Sequence, residues 1–357
     1  MATGIPTSLQ ELVDQMEPQV RQAFLDAIAD ISDETTLAAL EKAIATGNIE
    51  YALSVLNLDP AIFSQVADQV SDIYRYAAVL TAEAARATIN PMTGARVIFR
   101  FNVRSPPAEE WLRVTSSKLV VGLSNTARAT VRQTLSDGIA IGQGPRTTAL
   151  DIVGRVSAVT GRREGGVVGL TPAFAKYVHN AKIELLSGDP AMLANYLTRI
   201  RRDKRFDAKV HRALASGKPL LVADVQKMIG KYSDSLLKLR GENIARTETL
   251  LSLHAGQAES IRQMIAAGKV REDDVTKIWR TNRDGRERRS HFILHGKKVG
   301  YNAYFISPET GAKMLHPGDR DHGAHGEDVI NCRCHAEYKV DYIGAAVRMQ
   351  KKAGVTP

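Results

Sequence analysis

Six of the nine histidines and both cysteines of this 357-residue chain fall between Trp279 and His335. Thiolate and imidazole donors together suit Zn²⁺, and a Cys-x-Cys pair can offer both sulfurs to one ion. The pair here is Cys332-Arg333-Cys334, followed at once by His335. One intervening residue is poor spacing for a disulfide between them. The residues expected to hold a structural Zn²⁺ are His291, Cys332, Cys334 and His335. The spacing matches no standard zinc finger. The alternative is a pair of small buried cysteines with histidines exposed in loops. His291 and His295 share a face whether the Ser290–His295 segment is a helix or a strand.

Other residues of this stretch are charged and closely spaced: Asp284, Arg286, Arg289, Glu327 and Arg333. Asp284, His291, Glu327 and the cysteines would suffice for a metal-dependent hydrolase, with Glu327 as general base. The arginines would serve equally to hold acidic groups in buried ion pairs. No nucleophile–base pair stands out, so a structural role is preferred to catalysis.

The elements that must position these residues follow from the rest of the chain. Ser8-Leu-Gln-Glu11 has the form of a capping box, and Leu12, Met16 and Val20 continue at helical spacing. Asp33 or Thr35 is placed as the cap of a second helix through Ala45, ended by Gly47-Asn48. A third starts at Asp59-Pro60 and continues through Ile73 into an Ala-rich run that Asn90-Pro91 stops. Phe99 and Phe101 alternate with Arg100 and Asn102, which predicts a short strand near 96–103. Helices resume at Glu109, and Thr171-Pro172 opens another. The glycines of 161–169 fit neither phosphate-loop pattern, so that stretch reads as a plain loop. Helices continue from Ala191 to Ala266. After Gly268 short apolar pieces broken by Gly, Pro and Asn indicate a small mixed domain.

Charge divides the chain unevenly. The net +9 conceals 13 acidic against 4 basic side chains in residues 1–90, and an excess of basic residues in the remainder. The densest basic cluster comprises Arg199, Arg201, Arg202, Lys204, Arg205, Lys209 and Arg212, of which the first five are the expected phosphate contacts. It reads either as a solvated helix or as a sequence-independent contact with nucleic-acid phosphates. Few aromatics interleave it, so base stacking has little support. No run approaches 18 apolar residues and the first eleven residues lack a signal-peptide pattern, which argues against a membrane segment. Two cysteines one residue apart are not a disulfide framework, and a reducing compartment fits them.

The order Trp279, Asp284, Arg286, Arg289, His291, then Phe305-x-x-Pro308, Pro317-Gly318-Asp319 and Glu327-Asp-Val-Ile-Asn-Cys-Arg-Cys-His335 resembles the C-terminal domain of phage head-morphogenesis proteins typified by the F protein of phage Mu. Ala245-Arg246-Thr247-Glu248 is similar to that family's Ala-Arg-Thr-Glu helix, and Arg205-Phe206-Asp207 to Tyr232 resembles the helices before it. The resemblance covers about residues 165–340 and is densest from Ala245 to Cys334. Residues 1–160 resemble no family.

The resemblance implies a minor capsid protein in the virion head, present in few copies near the portal. Its partners would be the portal protein, other head proteins and double-stranded DNA, with relatives leaving the head alongside the DNA. It makes Trp279, Asp284, Arg286, Arg289 and Arg333 the scaffold of the motif, and favours DNA as partner of the Arg199–Arg212 cluster. The acidic N-terminal region is then expected to dock another capsid component. Two other readings remain: a metal-dependent hydrolase carried in the virion, and a DNA-binding protein with no virion role.

The expected fold is mainly α, a multi-helix body with a small α+β C-terminal domain. Its expected parts are an acidic helical region (1–90), a basic helical body (91–240), the head-morphogenesis domain (241–340) and a tail (341–357).

Overall fold

Local signals set most helix ends. Ser8 accepts the backbone N–H of Glu11 (3.1 Å) while Glu11 accepts that of Ser8 (3.2 Å), a reciprocal capping box opening α1 (Leu9–Glu34). Thr171 accepts from Phe174 N–H, and Pro172 takes the first helical position of its helix. The chain is seen in a computed structural model that describes residues 8–86, 98–283 and 285–341.

The helices are α1, α2 (Leu37–Ala45), α3 (Ile49–Val55), α4 (Ser64–Arg86), α5 (Pro106–Ala140), α6 (Pro145–Val153), α7 (Pro172–Leu186), α8 (Pro190–Thr198), α9 (Asp207–Ser216), α10 (Val222–Ala266), α11 (Arg289–Leu294) and α12 (Gly326–Val329). The strands are β1 (Arg155–Val156), β2 (Arg163–Glu164), β3 (Val275–Arg280), β4 (Lys298–Gly300), β5 (Phe305–Ile306), β6 (Lys313–Met314) and β7 (His335–Val340). The fold is mainly α with a small α+β C-terminal part, as the sequence indicates. Among the described residues no helix is long and apolar enough to cross a membrane.

Two compact units share the chain, and the divisions fall inside α1, α4, α5 and α10. One unit comprises residues 22–66 and 117–241. An apolar cluster in it joins Leu170, just before α7, to Val178, Leu185, Leu193, Tyr196, Val210, Met228 and Tyr232 on the inward faces of α7 to α10. The glycine-rich break at 161–169 contains β2, which pairs antiparallel with β1 just before the break over two residues.

The other unit comprises residues 1–21, 67–116 and 242–357. Its sheet has the order β4-β3-β7, antiparallel throughout, with Trp279 opposite Ala336 and Arg280 opposite His335. A second ladder pairs Phe305 with Met314. Helices α4 and α10 meet where a glycine allows it: a Cβ on Gly256 would lie 2.2 Å from the Tyr74 carbonyl oxygen.

Three expectations need correction. The alternation at 98–103 is not a strand; this backbone forms no ladder. Instead Phe99 and Phe101 pack beside Ile261 and Met264 of α10, and Gln263 bonds both backbone groups of Asn102 (2.8 and 2.9 Å). Residues 96 and 97 lie outside the described residues. Second, the cap of α2 is Thr36, because Thr35 bonds Ile31 at the end of α1 and Asp33 binds Arg162 and Arg163. Third, Asn48 does not end a helix but caps α3, accepting from Tyr51 N–H.

Much of the acidic charge near the N-terminus is matched within each unit. Asp30 and Asp33 pair with Arg162, Glu41 with Arg146 and Glu50 with Arg132. In the other unit Glu17 pairs with Arg246.

Candidate metal centre

Two elements deliver the donors and a third walls them. Strand β3 buries Trp279 completely, and its indole meets the His291 ring edge-on at 5.1 Å between centroids. Helix α11 presents His291, 1% exposed, on its inner face. The turn after α12 supplies Cys332 and Cys334, each 2% exposed. Trp279, Leu294, Phe305, Met314 and the two cysteines form one apolar cluster, so the donors sit in a dry environment.

His291 Nδ1 lies 3.5 Å from each sulfur. A tetrahedral ion holding sulfur at about 2.3 Å and nitrogen at about 2.0–2.1 Å places such donors roughly 3.5 Å apart. The three donor atoms all lie within 4.8 Å of one another, and they are the group of this kind found among the described residues. The Cys332 thiol is held well below its ordinary range by its hydrogen bond with Cys334 and by His291 beside it. Cys334 is pushed up by the same hydrogen bond and by burial. The pair thus yields one proton readily and retains the other unless a cation takes its place. Two thiolates and one imidazole in an apolar shell are a donor set that fits Zn²⁺.

The remaining residues singled out from the sequence are dispersed. His335 does not join the cluster; it starts β7 opposite Arg280, with an exposed side chain. Successive residues on an extended strand point to opposite sides, so Cys334 and His335 cannot both face inward. His295 turns away to Thr281, whose N–H and hydroxyl lie 3.1 and 2.9 Å from its Nδ1. Arg286 and Arg289 are exposed, and Arg333 is half-buried between the two cysteines. Glu327 is exposed on α12 and takes no part in the cluster. Asp284 lies outside the described residues.

Several positioning residues carry no obvious metal or catalytic chemistry in the sequence. Arg246 donates to Asn331 Oδ1 (2.9 Å), and Thr247 Oγ1 accepts the Asn331 N–H (2.8 Å). Arg320 donates to Glu248 (2.6 Å), and Arg288 caps the Ile330 carbonyl. Asn331 adopts a left-handed conformation, φ +57°, which Asn tolerates better than most residues. The Ala-Arg-Thr-Glu stretch of α10 was the available signal for these contacts. A second histidine pair, His254 and His316, lies with tilted rings 5.4 Å apart between centroids. Burial lowers both imidazoles, keeping them neutral.

The basic cluster separates into two kinds of residue. Arg199 forms a bidentate pair with buried Glu184 (2.7 and 2.6 Å), and Arg202 one with Asp207 (2.9 and 2.8 Å). Arg201, Lys204 and Arg205 are exposed, with Arg205 bound to neighbouring Asp203. Arg199 and Arg202 therefore brace α7, α8 and the start of α9, Lys209 pairs with Asp224, and Arg201, Lys204, Arg205 and Arg212 are the exposed members.

Comparison with known proteins agrees with the sequence over the site. Residues 204–337 match the family model described as Phage Mu protein F like protein. The match spans Trp279, His291, Cys332 and Cys334, and also the 245–248 stretch that holds Asn331. No curated protein and no solved structure matches the chain.

Proposed function

From the Mu F-like region at 204–337 we propose that the chain is a minor structural protein of a tailed-phage head, acting in head assembly near the portal. In this reading its partners are the portal protein, other head proteins and packaged double-stranded DNA. Arg201, Lys204 and Arg205 are the exposed groups for phosphate contact.

The observation that carries the reading is the buried His291–Cys332–Cys334 centre inside the matched region. A Zn²⁺ there would be held by these three residues and would cross-link α11 to the turn before β7. Complete burial of all three donors favours a structural ion over a hydrolytic one, since substrate has no path to them. Trp279 positions His291, while Arg246, Thr247 and Asn331 position the cysteine turn.

The test is quantitative protein analysis of purified phage particles assembled with this chain. A few copies per head, retained after nuclease treatment of the particle exterior, are expected. Absence from particles overturns the proposal. Nuclease activity that disappears in both His291→Ala and Cys334→Ser would instead support the hydrolase reading.

A further inference from the structure

Strand β7 is the edge of its sheet, and the register fixes which of its backbone groups lie outside the ladder. Trp279 exchanges its backbone bonds with Lys297 and Gly296 on the β4 side, while Ala336 opposite donates its N–H to His254 Nε2 (3.2 Å). Trp279 and Ala336 are therefore a non-hydrogen-bonded pair. By alternation so are Lys277 with Tyr338 and Val275 with Val340. The N–H and C=O groups of Tyr338 and Val340 point away from β3, and no described residue takes them.

A cavity of about 490 Å³ lies along this edge, bordered by Leu80 and Ala84 of α4 and by Ile261 and Met264 of α10. An adjoining cavity of about 360 Å³ shares Gln257 with it. Gln257 is 6% exposed, and its Oε1 has no partner among the described residues. A buried amide oxygen without a donor is destabilising, so it marks where a donor belongs.

We propose that this groove receives an extended, uncharged segment of another protein chain as an added strand on β7. Outward donors and acceptors repeat every second residue, about 6.6–6.8 Å along a strand, and extended polypeptide backbone matches that repeat. The lining favours small apolar side chains at alternate positions of the segment. Among the described residues lining the larger cavity Glu337 is the one permanent charge beside the imidazole of His335, and neither Lys nor Arg is there to meet a nucleic-acid phosphate. A second copy cannot supply its own β7, which is tied to β3 and walled by α4 in the same way. Gln257 Oε1 accepts a backbone N–H of the incoming segment. This inference stands independently of the metal centre and of head assembly.

The test uses the full chain and a fluorescein-labelled, end-blocked heptapeptide of alternating Thr and Val, read by anisotropy. Saturable binding is expected, weakened at least tenfold when alternate peptide nitrogens are methylated. Val340→Pro removes an outward N–H without touching the ladder to β3, and Ala84→Arg obstructs the α4 wall. Each should weaken binding at least tenfold while the circular dichroism spectrum stays that of the wild type. Gln257→Leu should weaken it less. Binding unchanged in both Val340→Pro and Ala84→Arg, or no saturable binding of the unmethylated peptide, overturns the proposal.

Discussion

Arg246 holds Asn331, the residue directly before Cys332, through a 2.9 Å hydrogen bond from guanidinium to side-chain carbonyl. The next two residues of α10 act in the same direction: Thr247 takes the Asn331 N–H and Glu248 takes Arg320. Three consecutive helical residues thus anchor the turns that surround the cysteines. The part of α10 that belongs to this unit, residues 242–266, is regular helix and a more precise support than the short strands and loops that make up the rest of the site.

Loosening this support should weaken the centre without emptying it. Thr247→Val leaves the Asn331 N–H without its acceptor and should cost about 1–3 kcal/mol in urea denaturation. Arg246→Ala should lower zinc affinity by about 10–100-fold at unchanged stoichiometry, as loss of ligand-orienting partners does elsewhere. Competition with a chromogenic chelator measures this, and unchanged affinity would remove α10 from the site.

Metal content distinguishes the donors from their neighbours. Protein purified under reducing conditions should carry one zinc by elemental analysis. His291→Ala, Cys332→Ser and Cys334→Ser should each lose it, and His335→Ala should keep it. A strong chelator should lower the thermal midpoint of wild type but leave that of Cys332→Ser unchanged.

The two kinds of basic residue should fail differently. Arg199→Ala strands buried Glu184 and should destabilise the fold by about 3–5 kcal/mol. The double substitution of Arg201 and Lys204 by Ala should leave stability intact. It should reduce the steepness of the salt dependence of DNA binding by about 2 in log–log slope. Titrations from low to moderate salt check this, and an unchanged slope would remove the cluster from DNA contact.

Stability should rise with pH in an alkaline window. Lys277 is 1% exposed and donates to the Leu315 carbonyl at 2.8 Å. Burial lowers its pKa from 10.5 to about 8, partly offset by Asp319. Between about pH 8 and 10.5 the unfolded chain binds a proton that the folded chain has released, so folding gains stability as pH rises. The wild type minus Lys277→Met difference should therefore shift by up to about 3 kcal/mol across that window. A flat difference would mean that the amine finds solvation in place.

Residue types and order made the site legible only where chemistry and motif coincided. Cys332, Cys334 and His291 were found because thiolates and imidazoles are scarce and their positions follow a recognisable order. His335 was misplaced because adjacency in sequence is not adjacency in space on a strand that alternates faces. The alternation of Phe99 and Phe101 was real, but it marks an extended segment lying on α10, whose missing neighbour strand is replaced by the Gln263 amide. Counting charges along the chain suggested separate acidic and basic surfaces. Pairing in space removed several of those charges: Asp33 meets Arg162, more than a hundred residues away, and Arg199 meets Glu184. Such partners carry no local signal, because any exposed arginine reads the same in sequence as one committed to an ion pair.

His291 and Cys332 stand 41 residues apart, and between them lie β4, β5, β6 and α12. A single ion bridging them turns this stretch into a closed ring. Restricting an unfolded loop of that length is worth about 4 kcal/mol by chain-entropy reasoning, an amount comparable to a disulfide. Unlike a disulfide, the closure needs no oxidant and can be reversed by withdrawing the ion. Were zinc bound there, this region would lock on metal capture, and the timing would follow zinc supply.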